Sequence, residues 1–305
     1  MKINRRGLIK SVFAAGGSAA LARPGKAAAG VEHFTGNPDR YGCLTDLTRC
    51  VGCRSCEAAC NEANGLPKPE VPFDDDSVFE HERRTSEKAY TVVNRYDNVR
   101  TDAKPVFRKI QCNHCNEPSC ASACLVNAYT KTPEGAVLWN KDLCLGCRMC
   151  MLACPFYIPT FEYDKPVPKI QKCNMCHDRT SQGKMPACVE ACPMEAIAFG
   201  KRSELIKLAR ERIEKEPDRY IDHIYGEHEV GGTSWMYISG VPFERVGFDE
   251  HLGVVPFPQY TRGFLSAVPL VLVIWPALLG GFYLFSERRE ELDDREKSGK
   301  PGERA

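Results

Sequence analysis

The sequence predicts an α+β fold: two pseudo-symmetric units of short strands and helices with inserted loops, and one C-terminal transmembrane helix. Three observations carry that expectation. Sixteen of the 17 cysteines fall into four groups of four, leaving only Cys43 outside them. The groups are of two kinds, and the kinds echo each other in pairs. Phe264 to Phe285 is a run of 22 residues without a charge, long enough to cross a bilayer core of roughly 30 Å. A chain of 305 residues with 43% hydrophobic content can build about two domains with cores of their own. Its net charge is +1 and its basic residues are scattered rather than striped, which argues against nucleic acid as a partner.

The groups are Cys50, Cys53, Cys56 and Cys60; Cys112, Cys115, Cys120 and Cys124; Cys144, Cys147, Cys150 and Cys154; and Cys173, Cys176, Cys188 and Cys192. Three chemistries use thiols in such numbers. Disulfide scaffolds belong to small exported domains short of core, and this chain is not small. Thiols two residues apart in triplets are also awkward to bridge without strain. Structural zinc sites are built from Cys-x2-Cys pairs, whereas the first and third groups read Cys-x2-Cys-x2-Cys-x3-Cys, a triplet plus an outlier. That spacing, with Pro155 directly after Cys154, is the iron–sulfur run whose fourth cysteine serves a different cluster from the first three. The three close thiols lie on one loop around a corner of the cluster, while the outlier starts a helix and points away. One motif cannot complete a site, so each requires a partner.

Internal similarity indicates the partners. Cys50-Val51-Gly52-Cys53-Arg54 echoes Cys144-Leu145-Gly146-Cys147-Arg148, with Ala59 and Ala153 just before the outlier. Cys120-x3-Cys124 with Ala128 echoes Cys188-x3-Cys192 with Ala196, and strand-like runs follow both. Each unit thus joins one triplet motif to one split motif. Ala128 to Thr132 and Ala136 to Trp139 flank Pro133-Glu134-Gly135, which predicts a hairpin. That adjacency makes the middle two groups one compact inner unit, and the outer two close on each other around it.

Four motifs with these gaps, including Cys173-x2-Cys176-x11-Cys188-x3-Cys192-Pro193, resemble the four-cluster ferredoxin-type subunits of the DMSO-reductase iron–sulfur family over roughly residues 41 to 200. The resemblance implies two 2x(4Fe-4S) bacterial-ferredoxin-like units with crossed ligands. Cys50, Cys53, Cys56 and Cys192 would hold one cluster, and Cys60, Cys173, Cys176 and Cys188 its neighbour. Cys112, Cys115, Cys120 and Cys154 would hold a third, and Cys124, Cys144, Cys147 and Cys150 a fourth. Every ligand position is cysteine, so four 4Fe-4S clusters are expected. The corresponding division is residues 41–108 for the first half of the outer unit with an insertion, 109–168 for the inner unit, and 169–200 for the second half of the outer unit. A C-terminal extension (201–262), the membrane helix (263–285) and a cytoplasmic tail (286–305) follow.

Residues 1–29 have the layout of a twin-arginine signal. Arg5-Arg6 precede a weakly apolar stretch from Ser11 to Ala22, and Ala27-Ala28-Ala29 offers a small-residue cleavage site. Folded export reconciles thiolate ligands with an oxidising destination. Past the span, Arg288, Arg289, Arg295, Lys297, Lys300 and Arg304 outnumber Arg245 and Arg262 on the near side. The positive-inside rule therefore sets the tail in the cytoplasm and the cluster units on the periplasmic side of the inner membrane.

The remaining elements read in chain order. Cys43 sits in a strand before the first motif, as a small buried apolar residue. Pro69 to Arg84 is acidic and proline-punctuated, a surface loop that is either a docking surface or a solvated insertion. Tyr90 to Arg95 reads as a strand, and Pro105 to Ile110 leads into the second motif. His114 and His177 lie inside cluster loops in hydrogen-bonding or surface roles, since four cysteines already stand beside each. Arg54, Arg148, Lys109 and Lys172 flank ligands, where they either raise cluster potentials or supply ordinary surface basicity. Ser203 reads as the N-cap of a helix from Glu204 to Glu216 with Leu205, Leu208, Ala209 and Ile213 on one face and Pro217 as a stop. Thr233 to Ser239 is a β-rich run that lays a strand across the body or a partner. The surrounding stretch, Ile224 to Phe243, is similar to HybA-type hydrogenase subunits, which share the twin-arginine start and the single terminal span.

No serine–histidine–acid set, phosphate loop or paired-carboxylate motif stands out, so the expected role is electron conduction without catalysis. By resemblance the membrane partner would be an NrfD-type quinone-reactive subunit. The other partner would be a hydrogenase small subunit, a multihaem cytochrome or a molybdopterin subunit. The alternative is the beta subunit of a formate dehydrogenase-like or other molybdopterin oxidoreductase complex, although such subunits usually lack their own export signal.

Overall fold

The computed structural model describes residues 39 to 298; the export signal expected at residues 1–29 lies outside them, as do Lys300 and Arg304 of the tail. In chain order, strand β1 (Tyr41–Asp46) precedes the first motif, whose outlier lies on helix α1 (Ser55–Ala63). The insertion follows, then β2 (Val92–Tyr96) and β3 (Val106–Ile110), an antiparallel pair with Val92 opposite Ile110. The inner motifs carry α2 (Ser119–Ser122), the expected hairpin as β4 (Tyr129–Lys131) and β5 (Val137–Trp139), and α3 (Met149–Ala153). A short pair, β6 (Thr160–Phe161) and β7 (Ile170–Gln171), leads to the fourth motif with α4 (His177–Thr180) and α5 (Ala187–Glu190). Strand β8 (Ile197–Lys201) then runs directly into α6 (Arg202–Lys215), followed by β9 (Trp235–Ile238) and α7 (Phe257–Lys297).

The largest sheet has the order β8-β1-β9. Strand β1 runs antiparallel to β8, Cys43 facing Phe199, and parallel to β9, Cys43 facing Trp235. Successive side chains of a strand point to opposite faces, and here both faces are covered. Cys43, Trp235 and Tyr237 enter an aromatic core with Tyr225, Phe243 and Phe248, where the Tyr225 and Phe248 rings are 4.5 Å apart. Leu44, Met236 and Ile238 point the other way, onto Leu205, Ala209 and Ile213 of α6. This explains why Trp-Met-Tyr-Ile is an unbroken apolar run instead of an alternating one. At the β1–β9 seam a Cβ on Gly42 would lie 2.3 Å from the Ser234 carbonyl oxygen, so only glycine allows the two backbones to approach.

The extension is therefore part of the body, with β9 as a strand of its main sheet. Helix α6 begins at Arg202, with no side-chain cap at Lys201, so Ser203 lies inside the helix instead of capping it. A tertiary contact decides the start. The Arg202 N–H donates to Arg40 O at 2.8 Å. Its buried guanidinium donates to the carbonyls of Thr233 at 2.8 Å, Gly226 at 3.1 Å and Glu227 at 2.7 Å. Asp46, fully buried at the end of β1, fixes the far end by accepting from Tyr220 Oη at 2.8 Å and Arg212 Nη1 at 3.1 Å.

Helix α7 follows Pro256 and contains Pro269 and Pro276. It is the one helix among the described residues long and apolar enough, by length and composition, to cross a membrane. It overruns the expected span at both ends. After Phe285 the sequence is rich in Glu and Arg, good helix formers that propagate the i→i−4 ladder beyond the apolar segment. Its first turn lies beside α2, where Gln259 and Glu117 approach to 3.5 Å.

Trp235 is buried on every side, and its Nε1 donates to Thr45 Oγ1 at 2.8 Å. Trp235→Ala is expected to destabilise the body by about 4 kcal/mol through the cavity it leaves, and Trp235→Phe by roughly 1–2 kcal/mol through the lost hydrogen bond and reduced packing. The check is the denaturant midpoint at which visible absorption is lost from the detergent-solubilised protein.

Candidate metal centre

Left-handed backbone shapes each thiol loop. In the triplet motifs Gly52 and Gly146 have φ of 75° and 71°, and Arg54 and Arg148 have φ of 57° and 62°. A Cβ on Gly52 would also lie 2.3 Å from the Phe107 ring, so both conformation and space require glycine there. The split motifs repeat a different pattern: His114 and Met175 at φ 48° and 57°, then Asn127 and Glu195 at φ 53° and 47°. The equivalent alanines bond alike, Ala128 N–H donating to Cys124 Sγ at 3.2 Å and Ala196 N–H to Cys192 Sγ at 3.3 Å. Gly146 N–H and Met175 N–H donate to Cys144 Sγ and Cys173 Sγ, each at 3.4 Å. Hydrogen bonds to sulfur are among the levers that set an iron–sulfur potential.

Helix packing joins distant motifs: α1 of the first lies on α5 of the fourth, and α2 of the second on α3 of the third. All 17 cysteines are free thiols. Cys50, Cys53, Cys56 and Cys192 line one cavity, together with Lys109, Thr45, Val93 and Ile197. Cys60 lies among Cys173, Cys188 and Cys176, and Cys115 among Cys154, Cys112 and Cys120. Cys150 neighbours Cys144 and Cys147 and packs in one apolar cluster with Cys124. Cys43, fully buried in the sheet, also neighbours Cys188, Cys173 and Cys176 and packs in one core with Cys188. Among the described residues no His, Cys, Asp or Glu side chains converge closely enough to hold a single metal ion. Cys50, Cys53, Cys56 and Cys192 surround a cavity instead of a point, an arrangement that suits a cluster.

Electrostatics agrees with that donor set. Burial pushes the Cys50 and Cys154 thiols up to about 11 and those of Cys120 and Cys173 up to about 12. Burial raises Cys56, Cys60 and Cys115 strongly as well, and neighbouring thiolates add to it. Surrounded by protein alone these sulfurs stay protonated; iron held by them would supply the positive charge that favours thiolates. The second-motif loop also holds a buried donor without a partner in the protein. His114 Nδ1 accepts from Val137 N–H at 2.9 Å, which fixes the ring proton on Nε2, an atom that has no hydrogen-bond partner among the described residues. Burial and the nearby Lys172 hold His114 well below its usual pKa and hence neutral. His177 is half-buried, with its Nδ1 likewise unpartnered.

The flanking cations divide. Arg148 is exposed over the rings of Phe161 and Tyr163, 5.6 Å from each centroid. Arg54, Lys109 and Lys172 are buried, which their sequence positions did not reveal. Arg54 Nη1 donates to the carbonyls of Pro72 at 2.8 Å and Asp75 at 2.9 Å, pinning the acidic insertion against the first motif. The insertion is exposed along most of its length but anchored there. Glu57, missed in the sequence, completes the clamp by accepting from Val93 N–H at 2.6 Å and from Arg83 at 2.7 Å. Its one sequence signal is a carboxylate three residues after Arg54 in the first turn of α1.

Residues 103–202 match the 4Fe-4S dicluster domain family. A protein of Nitratidesulfovibrio vulgaris is 52% identical over 298 residues, 97% of this chain and 80% of the relative. The hydrogenase-2 operon protein HybA of Escherichia coli O157:H7 is 32% identical over 273 residues, 80% of this chain and 83% of that protein. The iron–sulfur subunit of the nitrate-inducible formate dehydrogenase of Escherichia coli K12 is 36% identical over 200 residues, 64% of this chain and 66% of the subunit. With thiols grouped to hold 4Fe-4S clusters and these relatives covering most of its length, the chain belongs to the ferredoxin-type iron–sulfur subunit family that includes HybA and the formate dehydrogenase iron–sulfur subunits.

Proposed function

We propose that this chain conducts electrons through four 4Fe-4S clusters between a catalytic or cytochrome subunit and a quinone-reactive membrane subunit. The observation that carries the reading is the cavity ringed by Cys50, Cys53, Cys56 and Cys192: three thiols of the first motif and the last thiol of the fourth. The neighbours of Cys60, Cys115 and Cys150 favour the same crossed rule for the other three ligand sets. The repeated left-handed turns and the two helix pairs support a division into an outer unit, residues 41–108 with 169–200, and an inner unit, 109–168, related by pseudo-symmetry.

Each cluster takes up or gives back one electron, so a row of them conducts without bond-making. The chain's own residues hold the row and shape its energetics: cysteines bind iron, backbone N–H groups bond to sulfur, and the aromatic core excludes water. Helix α7 anchors the inner motifs at the membrane, with the cluster units on the periplasmic side and the tail in the cytoplasm. The partners are an NrfD-type membrane subunit and, on the other side, a hydrogenase small subunit, a multihaem cytochrome or a molybdopterin subunit. The match to HybA, a hydrogenase-2 operon protein, covers 80% of the chain and the match to the formate dehydrogenase subunit 64%. The broader match favours the hydrogenase-type assignment over a formate dehydrogenase-like one.

Iron and acid-labile sulfide analysis should return about 16 of each per chain; half that number would reduce the relay to two clusters. Cys192→Ala should cost about one cluster and remove one EPR signal while the other three persist. Loss of a signal that Cys56→Ala leaves intact would break the crossed assignment. Replacing Arg5 and Arg6 by lysine should leave the precursor in the cytoplasm, as read by fractionation; undiminished export refutes the twin-arginine route.

A further inference from the structure

Lys109 is the penultimate residue of β3, three residues before Cys112, so its place in the sequence associates it with the second motif. Its side chain serves a different place. The residue is 2% exposed and lines the cavity shared by Cys50, Cys53, Cys56 and Cys192. Its ammonium interacts electrostatically with the thiols of Cys188, Cys56, Cys173 and Cys60. Under the crossed assignment Cys56 belongs to one outer set, and Cys60, Cys173 and Cys188 to the other. One cation thus stands between two ligand sets, neither of which contains a cysteine of its own motif.

Its remaining surroundings carry no charge. Nζ donates to Gln111 Oε1 at 2.9 Å and stands 4.5 Å from the Trp235 ring centroid. Gln111 is held in turn, its Nε2 donating to Tyr237 Oη at 2.6 Å, and Tyr237 Oη donates back to Lys109 O at 3.2 Å. Among the described residues no carboxylate pairs with Lys109. A buried ammonium is costly unless negative charge faces it, and here the sulfur ligands are the groups positioned to supply it. Lys172 shows the reciprocal arrangement: it precedes Cys173 of the fourth motif, yet it acts on the inner-unit thiols Cys120 and Cys154 and donates to Val137 O.

We propose that Lys109 is the shared counter-cation of the two outer clusters, fixed by Gln111 and Trp235, and that it raises the reduction potential of both. The inference rests on the crossed ligand assignment. Reducing either cluster by one electron, drawn from its neighbour in the row, adds one negative charge beside a fixed positive one. In a dry interior that attraction is weakly screened, and local charge is a recognised determinant of these potentials. Lying between the two centres, the ammonium stabilises the electron on either side and so keeps the hop between them nearly level. Lys109 is a positioning residue: it holds charge and accepts no electron.

The test is an EPR-monitored potentiometric titration of the purified holoprotein, with the outer signals assigned by Cys192→Ala and Cys60→Ala. Lys109→Met should retain full iron and lower both outer potentials, so that at a fixed ambient potential the reduced-to-oxidised ratio falls about tenfold, ~59 mV for one electron. The inner pair should move less. Gln111→Glu, which puts a carboxylate beside the ammonium, should shift the outer pair in the same direction. Unchanged outer potentials in a fully loaded Lys109→Met protein overturn the proposal. An equal shift in all four signals, or iron loss from both variants, assigns Lys109 to packing and overturns it too. A wild-type protein without paired outer signals defeats the ligand assignment instead, so the two failures are distinguishable.

Discussion

Everything in this structure depends on neutralising buried sulfur. Burial lifts Cys56, Cys60, Cys115 and Cys173 far from ionisation, and thiolates crowded together raise one another further. Iron is what makes the arrangement stable as thiolate, so binding clusters and closing the body are one process. The outer cavity draws ligands from both ends of the motif region, Cys50 and Cys192.

The C-terminal extension takes part in this closure. Strand β9 pairs with β1, and Trp235 sits on the face of the sheet directed at the first and fourth motifs, in a core that includes Cys188 and Val189. The same indole stands against the Lys109 ammonium. One side chain therefore links the packing of the extension to the charge beside the outer thiols. The buried fork of Arg202 and the carboxylate of Asp46 fix the two ends of that assembly, and residues 201–256 carry the chain to the start of the apolar helix α7.

The exposed face tells a different story from the core. Leu125, Leu145, Leu152, Tyr157 and Val167 are each more than 70% exposed, and the first three lie within or beside the inner motifs. The start of the apolar helix α7 lies beside α2, close in the chain to Leu125. An electron relay needs close contact, because tunnelling demands that its terminal centres sit near the partner's.

Much of the protein was legible in the sequence because its chemistry is local. Cysteine spacing, the Gly52 and Gly146 echo, the Pro133-Glu134-Gly135 hairpin and the uncharged run before Ser286 are each fixed by a few neighbouring residues and by the stereochemistry of a turn, a thiol loop or a bilayer. What tertiary structure alone decided involves partners far apart in the chain. Arg54 and Arg148 occupy equivalent motif positions, yet one is buried under the insertion and the other lies in solvent. Lys109 precedes the second motif in the sequence, yet it lines the cavity of Cys50, Cys53, Cys56 and Cys192. Helix α6 starts at Arg202 because carbonyls at Gly226, Glu227 and Thr233 need a donor, not because Ser203 could cap it. Spacing determines which groups can bind iron; only the folded chain determines which charges those groups are buried beside, since burial and Coulomb attraction depend on distance in space.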